Sequence, residues 1–217
     1  MQATVTSDAV RMDRHYRYQR FIYDATRTHY LIGRKRLIDE LRPSPGQRVL
    51  EIGCGTAWNL AKLAQRYPEA MLYGVDVSSA MLDTARASLE RKGLSEHITL
   101  AQGDATCFDP EKAFARSDFD RVFFSYALSM IPGWLDALDH AARMIAPGGE
   151  LHIVDFGQCG RLPKTFKTAL FAFLDHYTVT PRENLEDCAQ ACALRHGLAT
   201  DFRQLHRGYT DYCILRR

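Results

Sequence analysis

The stretch Arg48–Ala57, RVLEIGCGTA, decides the fold. Val49, Leu50 and Ile52 make a short apolar run of the kind that forms a parallel strand buried on both faces. Gly53 and Gly55 follow at once and permit a turn that brings backbone close to a ligand. From Ala57 to Tyr67 the apolar spacing Leu60, Leu63, Ala64, Tyr67 becomes helical. Strand, glycine turn and helix are the front of a Rossmann-like unit, a cradle for a nucleoside-bearing ligand.

A dinucleotide enzyme would carry a third glycine where this chain has Trp58, so the turn argues against a bound pyrophosphate. The next strand, MLYGVDV, ends in Asp76. E-x-G-C-G-T followed by this acidic residue resembles motif I and the acidic loop of the class I S-adenosylmethionine-dependent methyltransferases. The resemblance implies that Asp76 accepts from the two ribose hydroxyls, for which an ionised carboxylate has enough lone pairs. The competing account is a helix cap, since DVSSAML also reads as a helix start near Ser79.

The landmarks continue in order. Ile98–Gln102 reads as a third strand closed by GDAT, and the resemblance implies that Asp104 takes the adenine amino group while Ala105 offers its N–H to the ring. Phe119–Phe124 is a fourth strand, and SYALSMIP after it resembles the family's loop beside the transferred methyl. A helix is expected from Trp134 to Ile145, then a turn at Pro147, Gly148 and Gly149 feeding a fifth strand. The implied cofactor set is Glu51, Gly53, Cys54, Gly55, Thr56, Asp76, Val77, Met81, Asp104, Ala105, Phe124 and Ser125, holding S-adenosyl-L-methionine. Ala57 stands where many relatives have a third glycine, and its single methyl is expected to be tolerated. The implied fold is α/β and Rossmann-like, with a mostly parallel seven-stranded sheet, a C-terminal antiparallel hairpin and a helical N-terminal arm.

With 217 residues, 46% of them hydrophobic, the chain has the size of one α/β domain. Its expected parts are a covering arm (1–45), a cofactor-binding core (46–157) and a final portion (158–217) of lid helix, last helix and closing hairpin. A net charge of +2 singles out no partner, and no nucleic acid is expected. The six cysteines lack C-x-x-C spacing, which suits a reduced, metal-free set and a cytoplasmic compartment. The N-terminus has no apolar core of a signal peptide, and no apolar window is long enough to span a bilayer.

Substrate identity is sought outside the core. In the arm Arg11, Arg14, Arg17 and Arg20 recur every third residue, among Tyr16, Tyr18, Phe21, Tyr23 and Tyr30. The segment Tyr23–Ile38, YDATRTHYLIGRKRLI, resembles the YDxTRxxYLxGRxxLI pattern of the betaine-lipid N-methyltransferases of BtaB type. That resemblance implies trimethylation of the amine of diacylglyceryl-homoserine, with the lipid aminocarboxypropyl transferase that makes this acceptor as the functional partner. Arg27 or Arg34 would bind the homoserine carboxylate, or the methionyl carboxylate of the cofactor, through a guanidinium fork. A methylated ammonium has no N–H left to donate and favours aromatic faces, so Tyr16, Tyr18, Tyr23, Tyr30, Phe124 and Tyr126 are candidates for a cage. Tyr23 and Tyr126 are taken as the positioning and cation-stabilising pair. Each ring has the alternative of an ordinary buried tyrosine or phenylalanine.

From Arg161 the chain reads RLPKTFKTALFAFLDHY, and Phe166, Leu170, Phe173, Leu174 and Tyr177 share one helical face. Basic residues at its start suit an interfacial helix over 161–177, peripheral to the inner membrane surface; a lid packed on the sheet is the competing account. Leu185–His196 reads as a helix capped by Gly197, and Thr200–His206 with Tyr209–Leu215 as a hairpin to which no chemistry is assigned. Methyl transfer from a sulfonium needs proximity and alignment above all, so a dedicated base is dispensable; His15, His29 and His176 are candidate proton acceptors. Other readings that share the cradle are a phosphatidylethanolamine or quinone-ring methyltransferase, a nicotinamide oxidoreductase, and a non-catalytic cofactor-binding subunit.

Overall fold

The computed structural model describes residues 30–217. Tyr16, Tyr18, Tyr23, Arg27, His15 and His29 therefore lie outside the described residues. Strands β1 (Arg48–Ile52), β2 (Met71–Asp76), β3 (Ile98–Gln102), β4 (Phe119–Ser125) and β5 (Ile145–Phe156) run parallel, and β6 (Ala199–Leu205) and β7 (Thr210–Arg216) close the sheet as a hairpin. The order across the sheet is β3-β2-β1-β4-β5-β7-β6, with β7 antiparallel to β5. The chain leaves β1 towards one edge and returns at β4 towards the other. A crevice therefore opens beyond the carboxyl ends of β1 and β4, where open α/β sheets bind ligands.

Helices α1 (Arg34–Leu41), α2 (Trp58–Arg66) and α3 (Ser79–Arg91) cover one face. Helices α4 (Pro110–Phe114), α5 (Trp134–Arg143) and α7 (Leu185–His196) cover the other, and α6 (Lys164–His176) lies beside the carboxyl ends of β4 and β5. The two-residue period of the strands divides the core between the faces. On β4, Phe123 enters the first cluster while Val122 and Phe124 enter the second. The central strands are apolar on both sides for this reason. The edge strand β6 is mostly half-exposed and carries the Asp201–Arg203 pair, which discourages further strand pairing.

Local sequence sets the element ends. Ser78 caps α3 by accepting from the Met81 N–H, Asp109 caps α4 ahead of Pro110, and Gly197 ends α7 in the left-handed region at φ 64°. Two expectations are corrected. The turn at Pro147–Gly149 lies within β5, whose register against β4 jumps from Ile145 opposite Phe119 to Glu150 opposite Arg121. Helix α5 ends at Arg143, because Ile145 is already paired in the sheet. Gly33 sits at φ 105° against Thr210 and Val154 and separates α1 from the residues before it.

Candidate functional site

The glycine turn hangs from the end of β2. The N–H groups of Gly53 and Cys54 both donate to the Val75 carbonyl, at 2.8 and 3.0 Å. Gly53 must be glycine on two counts: its φ is 73°, and an added Cβ would stand 2.8 Å from that of Ala127. Ala57, where relatives have the third glycine, is buried and left-handed at φ 58°. Its methyl is accommodated, but its backbone holds a conformation that costs an L-residue roughly 1 kcal/mol.

Asp76 stands between this turn and the next. Its Oδ2 accepts from the Gly55 N–H at 2.7 Å and its Oδ1 from the Ser78 N–H at 2.9 Å. The helix cap belongs to Ser78, so Asp76 is not the cap of α3. It is half-buried at the crevice, each oxygen engaged by one backbone donor. Val77 is half-buried beside it, and Met81 is buried. Farther along the rim, Asp104 Oδ1 accepts from both the N–H and the hydroxyl of Thr106, at 2.8 and 2.7 Å, which fixes the turn that carries Ala105.

Behind the glycine turn, Glu51 is buried and accepts from Asn59 Nδ2 at 2.6 Å. Asn59 Oδ1 in turn accepts from Arg34 Nε at 3.0 Å, and the Arg34 guanidinium lies 4.1 Å above the Trp58 ring. A charged fork thus stands at the first turn of α2, next to Thr56 and Ala57. Cys54 is buried, and burial together with the nearby carboxylates pushes its thiol well above the usual range, which keeps it a neutral packing group.

Beyond the ends of β4 and β5 lies a second region. Tyr30, Tyr126, Met130, Phe156, Phe173 and Tyr177, with Leu31, Leu174 and Val179, line a narrow pocket, partly open to solvent, with room in this structure for about 10 Å³, the size of one water molecule. No lining side chain carries a formal charge. Tyr126 follows β4 at φ 55°, its ring 4.6 Å from that of Phe156. Its hydroxyl donates to the Ile32 carbonyl and lies 3.0 Å from Thr210 Oγ1, which donates to the same carbonyl at 2.9 Å. Burial raises the Tyr126 phenol far above its ordinary value, so it is no proton acceptor. Tyr209 completes the latch by donating to the Tyr30 carbonyl at 2.8 Å.

The loop after β4 is clamped from beneath. Arg182 donates to the carbonyls of Leu128 and Ile131, and the buried Asp155 accepts from the Ser129 N–H at 3.0 Å. Burial raises the Asp155 carboxyl. None of Tyr209, Thr210, Arg182 and Asp155 carried a role in the sequence reading, because each acts on a loop far away in the chain.

Several candidates are relocated. Phe124 is wholly buried in the second core cluster, so its side chain forms no part of a cage; strand alternation turns it to the same face as Val122. Ser125, one residue on, is half-buried at the crevice. Arg34 lies against the glycine turn and not in the aromatic pocket. His176 is exposed at the end of α6, packed edge-on against Tyr177. Among the described residues, Asp139, Cys192 and His196 draw together as metal ligands would. Asp139 is already bound by Arg143 at 2.5 Å, His196 at 2.9 Å and Arg195 at 3.1 Å, so the group is an ion-pair network.

Residues 49–149 match the family model described as a methyltransferase domain. The matched stretch takes in the glycine turn, Asp76 and Asp104, the residues that form the nucleoside cradle, and covers just under half of the chain. Among curated relatives, the demethylmenaquinone methyltransferase of Listeria welshimeri is 30% identical over 126 residues, 58% of this chain and 51% of the relative. The ubiquinone/menaquinone biosynthesis C-methyltransferase UbiE of Dinoroseobacter shibae is 30% identical over 122 residues, 56% of this chain and 47% of the relative. The chain thus spans about half the length of the curated relatives it matches. Among solved structures, YcgJ of Bacillus subtilis superposes with a TM-score of 0.63 at 21% identity, covering 79% of this chain and 70% of that one. Phosphoethanolamine N-methyltransferase 2 of Haemonchus contortus, in complex with S-adenosyl-L-methionine, gives 0.62 at 23% identity, covering 79% of this chain and 38% of that one. These structural likenesses speak for the fold.

Proposed function

We propose that the protein transfers methyl groups from S-adenosyl-L-methionine to the amine of a lipid head group, that of diacylglyceryl-homoserine, giving the trimethylated betaine lipid. The observation that carries this reading is the aromatic pocket beside the loop after β4, with no acid, base or cation among its lining residues. An amine attacks the sulfonium methyl with its own lone pair, in line, and needs orientation and exclusion of water more than a catalytic base. With each transfer the nitrogen loses donors and becomes a bulkier cation, for which ring faces such as those of Tyr30, Phe156 and Tyr177 are suitable partners. Asp76 and Asp104 would hold the ribose and adenine ends of the cofactor, with Ala105 against the ring. Arg34, presented by Asn59 and Trp58 at the glycine turn, would take its methionyl carboxylate. The resemblance of Tyr23–Ile38 to the betaine-lipid enzymes supports the choice of acceptor.

A second reading, methylation of a quinone ring carbon, is favoured by the printed functions of the curated relatives. That reaction removes a proton from carbon, and the pocket lining offers no group to take it. Incubation with labelled S-adenosylmethionine and either diacylglyceryl-homoserine or demethylmenaquinone, read by lipid mass spectrometry, separates the two. Mono-, di- and trimethylated homoserine lipids are expected. Labelled quinone with an unmodified homoserine lipid would establish the second reading instead.

A further inference from the structure

Helix α6 is apolar in composition, yet of its thirteen residues only Leu174 is buried. Phe166 and Phe173 are 45% and 42% exposed, and Ile32 is 38% exposed. These three side chains belong to one neighbourhood. Phe173 stands edge-on against Tyr30 at 5.6 Å, Phe166 lies 6.3 Å from the Tyr209 ring, and Tyr209 donates to the carbonyl of Tyr30, two residues before Ile32. The patch is continuous with the aromatic pocket, since Phe173 both lines that pocket and faces solvent.

Its charge is one-sided. Arg161, Lys164 and Lys167 lie at the start of the helix, and Arg207 is brought beside them by the bond from the Arg161 N–H to its carbonyl at 3.2 Å. No aspartate or glutamate occurs from residue 156 to residue 174. Exposed rings rimmed by cations, with no acid between them, match the chemistry of an anionic bilayer surface: apolar interface below, negative head groups above. No helix among the described residues is long and apolar enough to cross a membrane, so the contact is one of lying on the surface.

We propose that this face of α6, with Ile32, docks the protein on an anionic lipid surface and sets the pocket mouth against it. The inference deepens the lipid-acceptor reading, since an acceptor anchored by acyl chains would then reach the pocket without leaving the bilayer.

The test is flotation of the full chain with vesicles of phosphatidylcholine mixed with phosphatidylglycerol, against phosphatidylcholine alone. Neither vesicle contains a methyl acceptor, so binding is read independently of what is methylated. Wild type is expected to float with the anionic vesicles, and to do so less as salt rises. Phe166→Glu with Phe173→Glu is expected to lower binding roughly tenfold or more, and Lys164→Glu with Lys167→Glu to lower it on anionic vesicles. Folding of each variant is checked by circular dichroism and by its urea denaturation midpoint. Failure of wild type to float, or flotation of the folded phenylalanine variant at the wild-type level, would overturn the proposal; the latter would assign the face to residues 1–29 or to a second copy of the chain. Flotation as expected, with no methylation of diacylglyceryl-homoserine, would retain the surface and reject only the acceptor.

Discussion

Asp76→Ala tests the cofactor half of the site. In the folded protein the carboxylate bridges two turns, accepting from the N–H groups of Gly55 and Ser78 at 2.7 and 2.9 Å. Each lost bond is given the central net contribution of an intramolecular hydrogen bond, about 1 kcal/mol. Unfolding in urea should therefore show a loss of about 2 kcal/mol, with the slope unchanged. On the proposed reading cofactor affinity suffers twice: the ribose would lose its charged acceptor, and the glycine turn loses one of its supports. A rise in Kd of about tenfold to a hundredfold is expected for both S-adenosylmethionine and S-adenosylhomocysteine, equivalent to about 1.4 to 2.8 kcal/mol, by calorimetry. Asp76→Asn is a poor conservative control here. With a backbone N–H facing each oxygen, its amide nitrogen must confront a donor whichever way it is turned. It should weaken binding almost as much as alanine does. A folded Asp76→Ala protein with wild-type Kd would refute the ribose assignment.

Two further substitutions test the physical account of the fold. Ala57→Gly relieves a left-handed backbone, a gain of roughly 1 to 2 kcal/mol. It also gives up a buried methyl, about 0.8 kcal/mol, and frees the unfolded chain, about 0.4 to 1 kcal/mol. The terms nearly cancel, so urea denaturation should show a change below about 1 kcal/mol; Ala57→Val, a β-branched residue in the same conformation, should be destabilised by more than that. Burial, opposed by a bond from Gln204 and reinforced by Asp155 across the strand pair, raises the Asp211 carboxyl to about 6. The folded state then binds this proton more tightly than the unfolded chain, whose aspartate titrates near 3.9, so the stability contributed by protonated Asp211 is present below about pH 4 and is lost as pH rises through about 6. Asp211→Asn should raise Tm at pH 8 relative to wild type and flatten the fall in Tm between pH 4 and 8; equal pH profiles would remove the argument.

How much of this was legible beforehand depends on how far apart in the chain the interacting groups lie. The glycine turn and the placing of Asp76 and Asp104 at the crevice were readable because each lies within a few residues of its own strand end. Even there, the sequence left a helix cap at Asp76 open as well; the cap of α3 is Ser78. Phe124 was misplaced because its nearness to the loop outweighed strand periodicity, which puts it on the core face with Val122. The hydroxyls of Tyr209 and Thr210 bond to carbonyls of Tyr30 and Ile32, 179 and 178 residues away along the chain. Arg182 holds Leu128 from 54 residues away. No spacing rule foresees contacts of that range; they follow from sheet order, which brings the start of β7 beside the end of β5 and hence beside the loop after β4.

The same sheet order makes the short segment from Tyr30 to Arg34 a physical link between the two halves of the site. At one end its carbonyls are held over the aromatic pocket by Tyr209, Thr210 and Tyr126. At the other, Arg34 rests on Trp58 and bonds through Asn59 to Glu51 at the glycine turn. Gly33 lets the backbone turn between these anchorages, and its φ of 105° is one that a side-chain-bearing residue rarely adopts. The segment thus joins the glycine turn to the lip of the aromatic pocket by direct contacts. Trp58 argues against a dinucleotide reading of the turn and also supplies the surface on which Arg34 rests; a glycine at that position would leave the segment without this foothold beside the glycine turn.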